Sequence, residues 1–400
     1  MLTALALLAV GLSPGTDVLE RHECFRCHVY VTQAQHSDDL RCAECHRRLS
    51  AGLMDEKVNQ YTPAVWERFK RRTAEHFTRM PPLIGLGRLR ASWLQRFLAA
   101  PYDLRPHLSE SMIRNRLTRA DVKALSELWG AQRDERPPPS PSAERLATAK
   151  KVFDEQGCTG CHGVTKPAAL PQYLAPDLRH TRDRMNFSAV VDYVTDSHRV
   201  NPASEMPTVP RPPETVQLLA EHVYFGDHGV TQVRAAPVPP PYDAKAPVPK
   251  YEEVEARVFK AVCWHCHSNP DFANGNGGPG MSGGFGYPER GLSFASFDEV
   301  MNGSLDAHGR RQSIFRKGQS GEPVLLEVMR ARWSEEAGGL HGALVGMPLG
   351  LPGVSAEDYA LVERWVKGGR PRPRGEPVAD GLTTPNRVEK SVKKKWPTGE

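Results

Sequence analysis

Four short strings decide how this chain reads: CFRCH at 24–28, CAECH at 42–46, CTGCH at 158–162 and CWHCH at 263–267. They contain all 8 cysteines, as the pairs Cys24/Cys27, Cys42/Cys45, Cys158/Cys161 and Cys263/Cys266. Each pair is followed at once by a histidine: His28, His46, His162 and His267. With 15 histidines in 400 residues, four such placements by chance would come to about 2 in a million.

C-x-x-C-H is the attachment pattern of haem c. Two thiols at this spacing can each add across a haem vinyl group, and the adjacent imidazole then lies under the iron as its proximal ligand. A disulfide scaffold needs an even cysteine count but no histidine after each second cysteine. The first two pairs also read as a C-x2-C…C-x2-C zinc ribbon, whereas the other two stand as single pairs about a hundred residues apart. The strings therefore predict four covalently bound haem c groups.

The pattern extends on both sides of these strings. Ahead of three of them sits a short helical segment with an apolar pair: Val18-Leu19, Val152-Phe153 and Val258-Phe259. Behind three of the histidines comes a methionine and then a helix. Met112 precedes a helix that Thr118 caps and Asp121 completes as a capping box. Met206, in SEMPTVP, precedes PPETVQLLAEHV. Met347, in VGMPLGLPG, precedes a helix with Ser355 as cap, Asp358 to complete the box and Gly368 as stop.

This order of helix, C-x-x-C-H, loop, Met and helix resembles class I cytochrome c. The resemblance implies a mainly α fold of three helical modules joined by Pro-rich linkers, the first module carrying two haems. It implies that Met112, Met206 and Met347 supply sixth iron ligands. It also implies a loop proline whose carbonyl orients the proximal histidine. MPPLIG around Pro82 fits that role for the second haem and APDLR around Pro176 for the third; the fourth segment has no clear version.

Domain boundaries follow from RDERPPPSPS at 133–142 and VRAAPVPPPYDAKAPVPK at 233–250, both expected to be extended spacers. They leave a dihaem module at 16–132, a monohaem module at 143–232 and a monohaem module at 250–370 with a Gly-rich insertion at 273–286. The basic tail, 371–400, carries Lys393–Lys395 and reads as disordered or as an extended strap. Leu2–Leu12 is an apolar run ending in Ser13-Pro14-Gly15, without the usual basic n-region. It reads as a signal peptide over 1–15 with a cut near Thr16, or as a buried N-terminal helix. Export to the periplasm or beyond would suit thioether attachment, which in c-type cytochromes generally happens outside the cytoplasm.

Composition bounds the rest. The chain has 35 Pro and 39% apolar residues, which favours small modules over one large core. A net charge of +5 is too mild to argue nucleic-acid binding. No run of 18 apolar residues exists, so no membrane-spanning helix is expected.

The first module has two haem motifs and one Met–helix ending. Met112 is assigned to the haem on His46, and the haem on His28 then needs another sixth ligand. His76, at the end of a helical stretch, is favoured over His36 in the polar loop QAQHSDD. Iron closed by His and Met shuttles electrons rather than binding substrate. The expectation is an exported tetrahaem cytochrome passing single electrons between redox partner proteins. Two alternatives stay open: a haem enzyme acting on peroxide, nitrite or thiosulfate through a vacant position at His28, and the electron-transfer subunit of a larger dehydrogenase or reductase complex.

Overall fold

The computed structural model describes residues 13–29, 36, 41–53, 80–102, 104, 111–130, 138–162, 175–202, 204–228, 236–264, 266–267, 291–306, 308–337 and 344–373. The apolar run at 2–12, His76, the Gly-rich insertion at 273–286 and the tail from 374 lie outside them. The fold is mainly α. Its principal helices are α1 (Pro14–Arg21), α2 (Cys42–Ser50), α3 (Ala91–Ala99), α4 (Arg119–Leu128), α5 (Ala143–Glu155), α6 (Phe187–Thr195) and α7 (Pro213–Phe225). Helix α8 starts at Tyr251–Val254 and continues through a π-helical stretch, Glu255–Cys263; α9 (Phe297–Asn302), α10 (Val324–Glu336) and α11 (Ala356–Lys367) follow. A two-stranded antiparallel ribbon pairs Ser304 with Gln312 and Leu305 with Arg311.

Three helix pairs organise the chain, each joining the helix ahead of a Cys–His string to a later helix: α1 with α4, α5 with α7, and α8 with α11. The first pair approaches closely because of Gly15. A Cβ there would stand 2.5 Å from Leu128 Cβ and 2.7 Å from the Ala124 carbonyl oxygen. In the second pair Ala149, Phe153 and Leu219 are buried. In the third, larger residues meet: Val258, Phe259, Tyr359 and Trp365 are buried, and the Phe259 and Trp365 rings pack edge to face at 5.7 Å.

Helix ends follow the local rules. Thr118 and Asp121 form a reciprocal capping box at α4. Ser355 Oγ accepts from Asp358 N at 3.0 Å, while Asp358 receives the Arg257 guanidinium at 2.7 Å. Gly368 ends α11 with a right-handed φ of −80°, and the left-handed residue is Gly369, φ 94°.

One expectation needs correction. The linker at 133–142 does not separate two cores, because one continuous cluster runs from Val18 and Leu19 through Trp93 and Leu125 to Val190 and Tyr224. It is sewn together by Arg90, whose backbone N donates to Arg184 O at 2.7 Å and whose Nε donates to Met185 O at 3.1 Å. Residues from 251 to 366 form a second core of their own. At the start of the described chain, Ser13 Oγ accepts from Thr16 N at 3.3 Å, and Pro14 and Gly15 lie inside α1.

The spacer at 236–250 is extended but not free. Val248 packs on Gly368, and the Lys367 ammonium stands 4.8 Å from the Tyr242 ring centroid. The start of the tail is likewise laid on the third unit, through Arg372 to Asp298 at 2.9 Å and Arg370 over the Phe315 ring.

Gly15→Leu is expected to force α1 and α4 apart and cost about 1–3 kcal/mol in a denaturant titration. The same pair has an acid limit. Burial alone would push the Asp121 carboxyl up, but hydrogen bonds from Arg21 and Thr118 override it and hold it at about 2, below its ordinary 3.8. The stabilisation is therefore full above the ordinary value and lost as pH falls toward 2. Asp121→Asn should flatten that part of the stability–pH curve.

Candidate functional site

The Cys–His strings fold into a shared local shape. A 3-10 turn, Cys24–Arg26, follows α1, and a matching turn, Cys158–Gly160, follows α5. In both the histidine N–H donates back to the first cysteine's carbonyl, His28 to Cys24 at 2.8 Å and His162 to Cys158 at 2.9 Å. His267 repeats it, donating to Cys263 O at 3.0 Å directly off the π-helical stretch. The turn opens with a left-handed residue, Gly157 at φ 72° or Glu23 at φ 54°. Glycine takes that conformation freely, whereas a non-glycine residue there costs about 1–3 kcal/mol. The second string differs: Cys42 to His46 lie inside α2. The Cys45 side chain is outside the described residues.

The rings themselves carry the clearest geometry. His28 Nδ1 lies 2.7 Å from the Pro81 carbonyl oxygen, and His162 Nδ1 lies 3.1 Å from that of Pro176. A carbonyl can only accept, so each Nδ1 is the donor and each neutral ring keeps its lone pair on Nε2. This is the arrangement in which a metal-bound histidine is fixed by a second contact. Burial lowers the His162 pKa and pushes that of His267 down to about 4, so both rings are neutral and ligand-competent at pH 7. His267 Nδ1 is buried with no partner among the described residues, in line with the missing proline loop of the fourth segment. His46 is buried too.

The proline contact corrects one assignment. The MPPLIG loop was expected to serve the second string through Pro82; its carbonyl contact is instead Pro81 to His28. The string at 42–46 sits within the excursion that this contact closes. Met112 therefore ends the unit that begins at α1 and His28.

Cys24, Cys27, Cys42, Cys158, Cys161, Cys263 and Cys266 are free. Burial pushes the Cys24 and Cys263 thiols up to about 12, as expected of an apolar crevice rather than a reactive thiolate. Among the described residues, no three His, Cys, Asp or Glu side chains gather as a metal-ion cage. In the C-x-x-C-H pattern only the histidine of that set would ligate a haem iron, and the turn, the free thiols and the anchored ring fit such a group.

Met112, Met206 and Met347 belong to neither core cluster. Met185 and Met329 fill the two cores, while Met112, Met206 and Met347 are half-buried on loops. Met206 is clamped from both sides: its carbonyl accepts from Ser197 Oγ at 2.6 Å and its N–H donates to Ser204 Oγ at 3.2 Å. Met347 N donates to Val328 O at 2.9 Å. Beside Met112, Ser111 N donates to Gly350 O at 3.0 Å and Ser111 Oγ accepts from Arg332 at 3.0 Å, so the loops of Met112 and Met347 meet. His36 is engaged elsewhere, bonded to Glu20 at 2.7 Å and stacked on Phe25 at 3.5 Å.

Sequence reasoning missed the ion pair of Glu23 and Arg26, 2.8 Å apart and each 2% exposed. Its only sequence signal was one charge just ahead of the first string and one inside it, where the third has Gly157 and Gly160. Comparison with protein-family models, curated proteins and solved structures returned no match for this chain.

Gly157→Ala meets no atom within 4 Å, so its cost is backbone strain alone. Chemical denaturation should show a loss of about 1 kcal/mol.

Proposed function

We propose that this chain is an exported tetrahaem c-type cytochrome that passes single electrons between redox partner proteins, built from three units resembling class I cytochrome c. The observation that carries the reading is the repeated ring-to-proline contact, His28 to Pro81 and His162 to Pro176, following the same turn after the same kind of helix. Two structurally equivalent histidines with Nδ1 tied to a backbone carbonyl are what a proximal axial ligand requires.

Cys24 and Cys27, Cys42 and Cys45, Cys158 and Cys161, and Cys263 and Cys266 would hold the four groups as thioethers. His28, His46, His162 and His267 would be the proximal ligands. Met112 is assigned to the haem on His28, because α1, the Pro81 loop and α4 belong to one unit; Met206 goes with His162 and Met347 with His267. The haem supplies a reversible one-electron couple when bound. The chain's residues set its potential through the axial thioether, the carbonyl behind each imidazole and the burial of the crevice. Ser197 and Ser204 keep the Met206 loop in one position, which limits reorganisation when the charge at the iron changes.

The haem on His46 is the one left without a methionine. His76 is the proposed partner for it, transferred from the earlier assignment to His28. If that position is open, the haem-enzyme reading applies at His46 rather than at His28.

Mass spectrometry of protein matured with haem-attachment machinery should show four haem additions; fewer, or bound zinc, would sink the reading. Met206→His should keep its haem low-spin and lower its potential, since imidazole favours the ferric state relative to thioether. Met112→Ala should open a single haem to carbon monoxide and give a high-spin signal. An unchanged spectrum would return Met112 to ordinary packing.

A further inference from the structure

The methionine loops are held in two different ways. Met206 is secured inside its own unit, by Ser197 and Ser204. The Met347 loop is likewise fixed to its own unit, laid along α10. Met347 N donates to Val328 O at 2.9 Å, Gly346 N to Glu335 Oε1 at 2.7 Å, and Trp333 Nε1 to Val354 O at 2.8 Å. Two glycines permit the approach: a Cβ on Gly346 would stand 2.4 Å from Arg332 Cα, and one on Gly353 2.4 Å from Trp333 Cδ1. Met112 differs. Ser111, the residue before it, donates its N–H to Gly350 O at 3.0 Å and accepts at Oγ from Arg332 Nη2 at 3.0 Å, and both partners belong to the third unit.

Arg332 is built for that reach. Its side chain is 3% exposed although it carries a charge. Nε donates to Leu351 O and Nη1 to Glu335 Oε2 at 3.3 Å, which leaves Nη2 for Ser111. The planar guanidinium fork holds these three acceptors in fixed directions. Glu335 in turn accepts from Gly346 N through its other oxygen. One buried cation therefore ties α10, the Met347 loop and the neighbour of Met112 into a single hydrogen-bonded group, joining residues 221 positions apart.

We propose that Arg332 is a positioning residue for an iron ligand in another unit: through Arg332 and the Gly350 carbonyl, the third unit completes the loop that presents Met112. The methionine site of the first unit then depends on docking of the third. This rests on the cytochrome reading, with Met112 as the sixth ligand of the haem on His28. A thioether ligand raises the potential, and a loop fixed by hydrogen bonds delivers it to one place. Release of Ser111 weakens that ligation and lowers the potential of that haem. The dependence runs one way, because the Met347 loop keeps its bonds to α10 when Ser111 is altered.

The test is a spectroelectrochemical titration of the full, haem-loaded chain, with haem number fixed by mass. Met112→His and Met347→His mark which midpoint belongs to which methionine. Ser111→Ala should lower the Met112 midpoint, shifting its reduced-to-oxidised ratio at a fixed potential by about threefold, within what one hydrogen bond supplies. The Met206 and Met347 midpoints should stay in place, and Ser111→Thr, which keeps the hydroxyl, should behave as the unmodified protein. Arg332→Met, made in the third unit, should lower the Met112 midpoint too and speed amide hydrogen exchange across 111–117. Loss of a positive charge would by itself lower that midpoint, so the double variant separates the two causes. In a Ser111→Ala background Arg332→Met should lose most of its effect on the Met112 haem. Fully additive shifts, an unmoved Met112 midpoint in Ser111→Ala, or equal shifts at the Met112, Met206 and Met347 haems would overturn the proposal. If Arg332→Met does not load haem, the two Ser111 variants decide alone by the same criteria. A mass below four haems in the unmodified protein defeats the cytochrome reading and this one with it, whereas four haems with additive or unmoved midpoints defeat only the bridge.

Discussion

The hydrogen bond from His28 to the Pro81 carbonyl governs the first third of the molecule. It joins two residues 53 positions apart, and the second Cys–His string lies between them in sequence. With the ring fixed, α1 can cross α4 at Gly15, and the loop carrying Met112 falls at the end of the same unit. Without it, the two strings at 24–28 and 42–46 would be equivalent claimants to one set of helices. The same bond, His162 to Pro176, recurs in the second unit, where no second string complicates the count.

The cores then impose a grouping that differs from the grouping of strings. The helix pairs α1 with α4 and α5 with α7 share one apolar interior, through Leu89, Trp93, Met185 and Tyr224. The unit built on α8 and α11 has its own. Among the described residues it touches the first unit through polar loop contacts, Ser111 with Gly350 and with Arg332. Apolar burial thus ties the first unit to the second, while loop hydrogen bonds bring the first to the third. Connectivity along the chain determines neither.

Much of this was legible in the sequence because it is local. The Thr118–Asp121 box, the Ser355 cap and the apolar pairs at 18–19, 152–153 and 258–259 are set by neighbours three or four residues away. Pro176 could be matched to His162 because one short loop separates them. Pro81 could not be matched to His28, since another complete string intervenes and spacing favours the nearer histidine. The shared core was hidden for a similar reason: a Pro-rich stretch at 133–142 looks like a spacer whether or not Arg90 reaches across to Arg184. Nor could composition show that Pro14 and Gly15 open a helix capped by Ser13, since small and turn-forming residues read equally well as a loop.

The single interior beneath the first two helix pairs bears on assembly. A haem crevice closes only when the apolar walls around it are in place, and here Leu89, Met185 and Tyr224 belong to walls that both pairs need. On the cytochrome reading, the chain up to 225 is one ripening unit: loading at 158–162 and at 24–28 would each wait on the other, and a lesion in either would leave both open to proteolysis. The unit from 251 onward, with a separate interior, could mature on its own schedule. Quality control of such a chain would follow its two interiors rather than its four attachment strings.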